Sequence, residues 1–109
     1  MPGGYHGRYL VVDATRRTAR LERLDDETLA RFVGGVGLGT AILSRESPAR
    51  VDPLAPESAL VFALSPLVGS PLTTSAKFAV VAKSPLTDRI SDGLSSSRFA
   101  VTAKRTGFD

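Results

Sequence analysis

Three stretches of this sequence carry residue types able to meet an anion. Lys83-Ser84-Pro85-Leu86-Thr87 sets a cation, a hydroxyl and a proline kink after an apolar run, and α/β sheets hold ligands at such strand ends. The same residues also suit a plain polar strand end stopped by proline. Ser65 to Ser75 is rich in Ser, Thr, Gly and Pro, so it can offer backbone N–H groups and hydroxyls to an anion, or simply connect two elements. Gly34-Gly35-Val36-Gly37-Leu38-Gly39 invites comparison with a dinucleotide loop, but Thr40 stands where the third glycine of that fingerprint belongs. It also follows a helical pattern, not a strand. A helix break that lets backbone approach closely accounts for it.

Other chemistries find no support in the residue types. The sequence has no cysteine and a single histidine, His6, which excludes thiolate metal sites, cluster ligation, disulfides and Cys-His or His-based triads within these residues. His6, near the chain start, is expected to be solvated. Asp25, Asp26 and Glu27 suit the first turn of a helix, while Asp88 and Asp92 are expected to flank a turn. No carboxylate pair or activated nucleophile emerges.

Size and charge narrow the field further. The 109 residues, 42% apolar, make one small domain spanning 1–109, whose folding buries roughly two-thirds of the surface that the open chain exposes. Residues 1–58 carry eight basic and eight acidic side chains and residues 59–109 six and three, so the whole excess of +3 lies in the second half. An anion would bind there. Lys77, Lys83, Arg89, Arg98, Lys104 and Arg105 are dispersed, with few aromatics among them, which argues against a nucleic-acid surface. The longest apolar run, Ala59 to Leu64, is far short of the roughly 18 residues of a membrane span. Met1 to His6 shows no leader pattern, and a cytoplasmic protein is expected.

These residues need elements to position them. Arg8 to Asp13 is apolar and β-branched, and Thr18 to Leu24 alternates with period two, which predicts a hairpin across Ala14 to Arg17 with a wet outer strand. Asp25-Asp26-Glu27 opens a helix with Leu29, Phe32 and Val33 as its buried stripe; Gly34-Gly35 ends it, and Leu38, Ala41, Ile42 and Leu43 continue a helical period to Arg45-Glu46. Prolines 48, 53 and 56 impose a loop. Ala59 to Leu64 and Phe78 to Ala82, apolar throughout, are expected as central strands covered on both faces. Ser-Pro-Leu at 65, 70 and 84 reads as strand exits. Ser95-Ser96-Ser97 supplies caps for a helix over Arg98 to Arg105, with Phe99 and Ala103 on one face and Gly107 as its stop. Phe108-Asp109 is expected to lead into a further strand. The fold class is α+β: a small mixed or antiparallel sheet with an N-terminal hairpin, a helical pair and a C-terminal helix, forming an incomplete half of a larger domain.

In order and spacing these pieces resemble the amino-terminal domain of the tungsten-dependent aldehyde ferredoxin oxidoreductase family. The resemblance rests on Gly4-Tyr5-His6-Gly7-Arg8, Gly34 to Gly39 and Val51-Asp52-Pro53-Leu54-Ala55-Pro56-Glu57. It continues through Ser65-Pro66-Leu67-Val68-Gly69 and Val80-Val81-Ala82-Lys83-Ser84-Pro85-Leu86-Thr87 to Lys104-Arg105-Thr106-Gly107-Phe108-Asp109. It implies a domain that seats a tungstopterin, a bis-pterin tungsten group whose phosphates are joined through magnesium. The implied activity is aldehyde oxidation to carboxylate, with small aldehydes as substrates and ferredoxin as electron acceptor. The iron-sulfur ligands of the family lie in later domains, so none is expected here, and the chain is not expected to be catalytic alone.

The resemblance assigns cofactor contacts to Lys77 and to Leu94, Ser95, Ser96 and Ser97. Lys77 stands where an arginine is usual and keeps the charge without the bidentate fork. Leu94 replaces an asparagine and retains only a backbone carbonyl for the metal. Val36 stands where arginine is common, and Ser96 is bulkier than the usual glycine. None of these groups is an acid, base or nucleophile; they would position a cofactor that carries the chemistry. The alternatives are a stand-alone binding or assembly module, joined to a complementing chain or to a second copy through an exposed sheet edge, and a remnant without function.

Overall fold

A computed structural model describes residues 3–109; Met1 and Pro2, part of the opening stretch read for a leader, lie outside the described residues. The element order is β1 (Arg8–Asp13), β2 (Thr18–Arg23), α1 (Asp26–Arg31), α2 (Gly35–Glu46), β3 (Leu60–Leu64), β4 (Lys77–Lys83), β5 (Ile90–Ser96) and α3 (Arg98–Arg105). The α+β class is as expected. Both sheets are antiparallel: a two-stranded β1-β2 hairpin and a three-stranded sheet in the order β3-β4-β5.

The hairpin pairs Arg8 with Arg23 and Asp13 with Thr18. Its turn is held by the Asp13 carboxylate, which accepts from the Thr15 and Arg16 amides at 3.1 Å. Alternation sends Tyr9 inward and leaves Leu10, Val12 and Leu21 in solvent. Asp25 caps α1 by accepting from Thr28 N at 2.7 Å, and the Thr28 hydroxyl, then its amide, holds the carboxyl below the usual range. α1 ends at Arg31 with Phe32 as its C-cap, earlier than expected, and Gly34 instead serves as the N-cap of α2. Leu29 is buried, but Val33 is 71% exposed, because it falls in the break between the helices and on neither helix's inner face.

α2 packs across β3 and β4. Gly39 makes this approach possible: a Cβ there would lie 2.8 Å from Val81 Cγ2 and 3.2 Å from Ala63 Cβ. Leu38, Ile42 and Leu43 join Tyr9, Leu24, Leu29, Val61, Ala63, Ala79 and Val81 in the main core, which connects the hairpin, both helices and one face of the second sheet. A second cluster of Leu64, Val68 and Ala100 holds α3, with Phe78, Val101 and Ala103 against it.

The expectation that the two apolar strands are covered on both faces fails. Val61, Ala63, Ala79 and Val81 are buried under α2, whereas Leu60 and Phe62 on the other face are 60% and 50% exposed. β3 is also an edge strand. The third strand, β5, was not expected. Ile90-Ser91-Asp92-Gly93-Leu94-Ser95-Ser96 lacks a run of β-formers, and every residue in it is exposed; pairing to β4 is what makes it a strand. Asp92 therefore lies within β5, while Asp88, at φ +60, occupies the turn before it. Ser97 alone caps α3, accepting from Phe99 N at 3.1 Å, and Ser95 and Ser96 belong to the sheet.

Candidate functional site

The β4–β5 register decides what the five sequence-assigned residues can do together. Lys77 lies opposite Ser96, Phe78 opposite Ser95, and Ala79 opposite Leu94. Cross-strand partners share a face, so Lys77, Leu94 and Ser96 lie on one side at the end of the ladder and Ser95 on the other. Ser97 closes the strip: its amide donates to Ala76 O at 3.1 Å and its hydroxyl caps α3. The Ser96 hydroxyl donates to Ala76 O at 3.3 Å. Lys77 is exposed, and among the described residues no carboxylate lies within ion-pair distance of it. Leu94 is 63% exposed.

The strip is therefore one positive charge beside a serine-edged strand, immediately before the N-terminus of α3. It is suited to a phosphate group, since an ammonium is a point-charge phosphate partner. It is poorly suited to ligating a metal through side chains. Leu94 has no side-chain oxygen, the hydroxyls of Ser96 and Ser97 are already engaged, and no cluster of three or more His, Cys, Asp or Glu occurs among the described residues.

The other anion candidates turn out to be structural. Lys83 Nζ donates to Val51 O at 2.6 Å and pairs with Asp88 at 3.2 Å, fastening the proline-rich loop to the sheet. Ser84 Oγ accepts from Leu86 N at 3.2 Å, and the Asp88 amide donates to Ser84 O at 2.9 Å. Lys-Ser-Pro-Leu-Thr is thus the locked connection of the β4–β5 hairpin. Gly34, at φ +49, lies against the Ser65-Pro66 loop, where a Cβ would sit 2.7 Å from Pro66 Cδ. That close approach is the use made of the glycine-rich element.

Sequence reasoning missed a charged cluster that joins the two ends of the chain. Asp109 is buried, and its carboxylate accepts from the His6 amide at 2.9 Å, the Gly7 amide at 2.6 Å and Lys104 Nζ at 2.6 Å. The Asp109 amide donates to Arg8 O at 3.0 Å. Burial opposes the charge on Asp109, but the Lys104 ammonium and the two amides outweigh it and hold the carboxyl below its usual range. Lys104 also lies over the Tyr5 ring at 5.6 Å. His6 is exposed, as expected, and its Nε2 also lies 3.0 Å from Lys104 O. Phe108-Asp109 folds back on the start of β1. The signal was available as Gly-Tyr-His-Gly and Lys-x-x-Gly-Phe-Asp, each read separately; nothing local says that they meet.

A second buried group serves packing. Tyr9 Oη donates to Glu46 Oε1 at 2.5 Å. Burial, then the Glu46 carboxylate, pushes the Tyr9 phenol well above its ordinary value. Arg20 bridges Glu46 and Glu22 at 2.6 and 2.9 Å, so the network links the hairpin to α2.

Residues 9–109 match the family model for the aldehyde ferredoxin oxidoreductase N-terminal domain. The chain is 36% identical over 106 residues to a tungsten-containing aldehyde ferredoxin oxidoreductase of Pyrococcus abyssi, covering 97% of this chain and 18% of that one. It is 35% identical over 108 residues to the WOR-like subunit of an aliphatic sulfonate oxidoreductase of Pyrococcus furiosus, covering 96% and 17%. Among solved structures, the active-site complex BamBC of benzoyl coenzyme A reductase, in complex with 1,5-dienoyl-CoA, superposes with a TM-score of 0.91 at 29% identity. That match covers all of this chain and 17% of the other. The chain thus spans less than a fifth of the length of the relatives it matches. No helix among the described residues is long and apolar enough to cross a membrane. With a match across nearly its whole length and a shared architecture, the chain belongs to the aldehyde ferredoxin oxidoreductase N-terminal domain family.

Proposed function

We propose that these 109 residues form the cofactor-seating segment of a cytoplasmic tungstopterin oxidoreductase that converts small aldehydes to carboxylates and passes electrons to ferredoxin. The observation that carries this is the register of β4 and β5, which sets Lys77 across from Ser96 in an exposed strip where, among the described residues, no carboxylate pairs with the lysine. Lys77 would neutralise a phosphate of the pterin arm, with Ser95, Ser96 and Ser97 shaping the strand beside it. When bound, the tungsten group would supply the redox chemistry. Leu94 is the poor fit: it can offer magnesium no more than its carbonyl, so side-chain ligation of a bridging magnesium has no place here.

Tungsten and pterin analysis of the chain purified anaerobically from its native host, together with whatever co-purifies, tests the reading. Stoichiometric pterin with tungsten or molybdenum is the expected result, and Lys77→Ala is expected to lower the retained pterin severalfold while leaving the fold unchanged by circular dichroism. A folded sample free of pterin would sink it. A Lys77→Ala protein that keeps its full pterin complement would remove Lys77 from the site.

A further inference from the structure

The eight residues of α3 are fewer than the roughly 12–15 at which an isolated helix becomes even marginal in water, so its docking decides whether it forms. Only Ala100 and Lys104 are buried along it, and the apolar cluster it joins has three buried members, Leu64, Val68 and Ala100. Its polar hold is concentrated at its C-terminal end and goes to the start of β1. Lys104 Nζ donates to Asp109 Oδ1 at 2.6 Å, His6 Nε2 lies 3.0 Å from Lys104 O, and Arg8 Nε donates to Gly107 O at 2.8 Å. Asp109 gathers this junction, since its carboxylate also accepts from the amides of His6, Gly7 and, at 3.4 Å, Arg8, while its own amide donates to Arg8 O.

The other end of α3 adjoins the candidate cofactor strip. β5 ends at Ser96 and α3 begins at Arg98, so Ser97 alone connects them. Its hydroxyl caps the helix, and its amide donates at 3.1 Å to the carbonyl of Ala76, the residue before Lys77. The Ser96 hydroxyl reaches the same carbonyl at 3.3 Å. A single connecting residue, hydrogen-bonded to both elements, makes the helix and the end of the ladder move together.

We infer that Asp109 is a positioning residue for the strip: by fastening α3 to β1 it keeps Ser97, and with it the Lys77–Ser96 end of the β4–β5 ladder, in the arrangement that receives a phosphate. It acts through α3 and not by touching a ligand, because eight helical residues, about 12 Å of rise, separate the junction from Ser97. β1 belongs to the hairpin sheet and, through Tyr9, to the main core, so the same carboxylate sets the strip against the other half of the fold. That the strip receives a phosphate rests on the proposed cofactor function; that Asp109 holds it rests on these contacts alone.

Backbone amide NMR of the 109-residue chain, with pterin analysis of the protein purified from its native host, tests the assignment. In Asp109→Asn the amide signals of Lys77, Ser96 and Ser97 are expected to shift or broaden in a chain that stays folded, and retained pterin is expected to fall severalfold. Leu29→Ala opens a cavity in the main core; it is expected to lose comparable stability yet keep those signals and the full pterin complement, which separates positioning from general destabilisation. Should Asp109→Asn fail to fold, Arg8→Ala removes the exposed bond to Gly107 O without unpairing a buried charge, and the same signals are expected to move by a smaller amount. Unmoved signals in the folded variant overturn the assignment, as do equal effects from Leu29→Ala or a full pterin complement in Asp109→Asn. A wild type without pterin sinks the cofactor function instead, and the amide signals still decide whether Asp109 holds the strip.

Discussion

Replacing Asp109 by Asn tests how much of this domain depends on the junction of its two ends. The substitution keeps size and shape but removes the charge that four donors share: the His6 amide at 2.9 Å, the Gly7 amide at 2.6 Å, Lys104 Nζ at 2.6 Å and, more distantly, the Arg8 amide at 3.4 Å. The Asp109 side chain has no exposed surface and that of Lys104 only 11%, so the ammonium cannot recover its hydration. Breaking such a pair from one side costs about 3–5 kcal/mol. Because an amide oxygen can still accept from one or two of the donors, the lower end, about 3 kcal/mol, is the expected loss. In a domain of this size that corresponds to a fall in Tm of roughly 12–20 °C. Urea unfolding followed by circular dichroism should show a lower midpoint at an unchanged slope.

The pH dependence follows from the same group. A carboxyl whose folded value lies below its unfolded value adds stability above the unfolded value, near pH 4, and loses it as the pH falls toward the folded one. The wild type should therefore show an acid limb below about pH 4 that Asp109→Asn lacks in part. A loss under about 1 kcal/mol, or an identical acid limb, would refute the view that this carboxylate holds the ends together. Pairing the substitution with Lys104→Met separates the ion pair from the amide contacts, since the double variant should recover part of the loss.

Further outcomes follow from other contacts. Gly39→Ala should destabilise by about 1–3 kcal/mol through overpacking, since its Cβ would press on Val81 and Ala63, whereas Gly37→Ala, with open space around it, should gain about 0.5–1 kcal/mol in helix propensity; thermal melts of the two variants suffice. Absorbance titration should show Tyr9 still protonated at pH 11 while the fold persists, and stability should decline above about pH 10, where the unfolded chain ionises its tyrosines and the folded chain does not. Lys83→Met removes the bond to Val51 O, so amide exchange at Val51, Ala55 and Ser58 should quicken severalfold while the β3–β4 amides keep their protection.

Much of the architecture was legible in local chemistry. The hairpin fell where period-two alternation met a turn, α2 where apolar residues recurred every three or four positions, and α3 where Ser97 could cap it. β5 was not legible, because Ser91, Asp92, Gly93, Ser95 and Ser96 have little preference for extended structure and take it only against β4. Facing was misread for the same reason. A wholly apolar strand does not say which side is covered, and α2 supplies one cover only, leaving Leu60 and Phe62 in solvent.

The candidate site shows the same division. Its proposed members came from the sequence, where resemblance singled out Lys77 and Leu94 to Ser97 and the lack of cysteine ruled out thiolate chemistry. Only the tertiary structure decided which of them meet, by pairing Lys77 with Ser96 across two strands. It also withdrew Lys83 and the glycine-rich element from ligand binding, by giving the lysine a carbonyl and Asp88 as partners and setting Gly34 against Pro66. The joining of His6 and Gly7 to Asp109, about a hundred positions apart, has no local signature. Propensity and periodicity act over a few residues, whereas a buried ion pair is made by the packing that brings its two halves together.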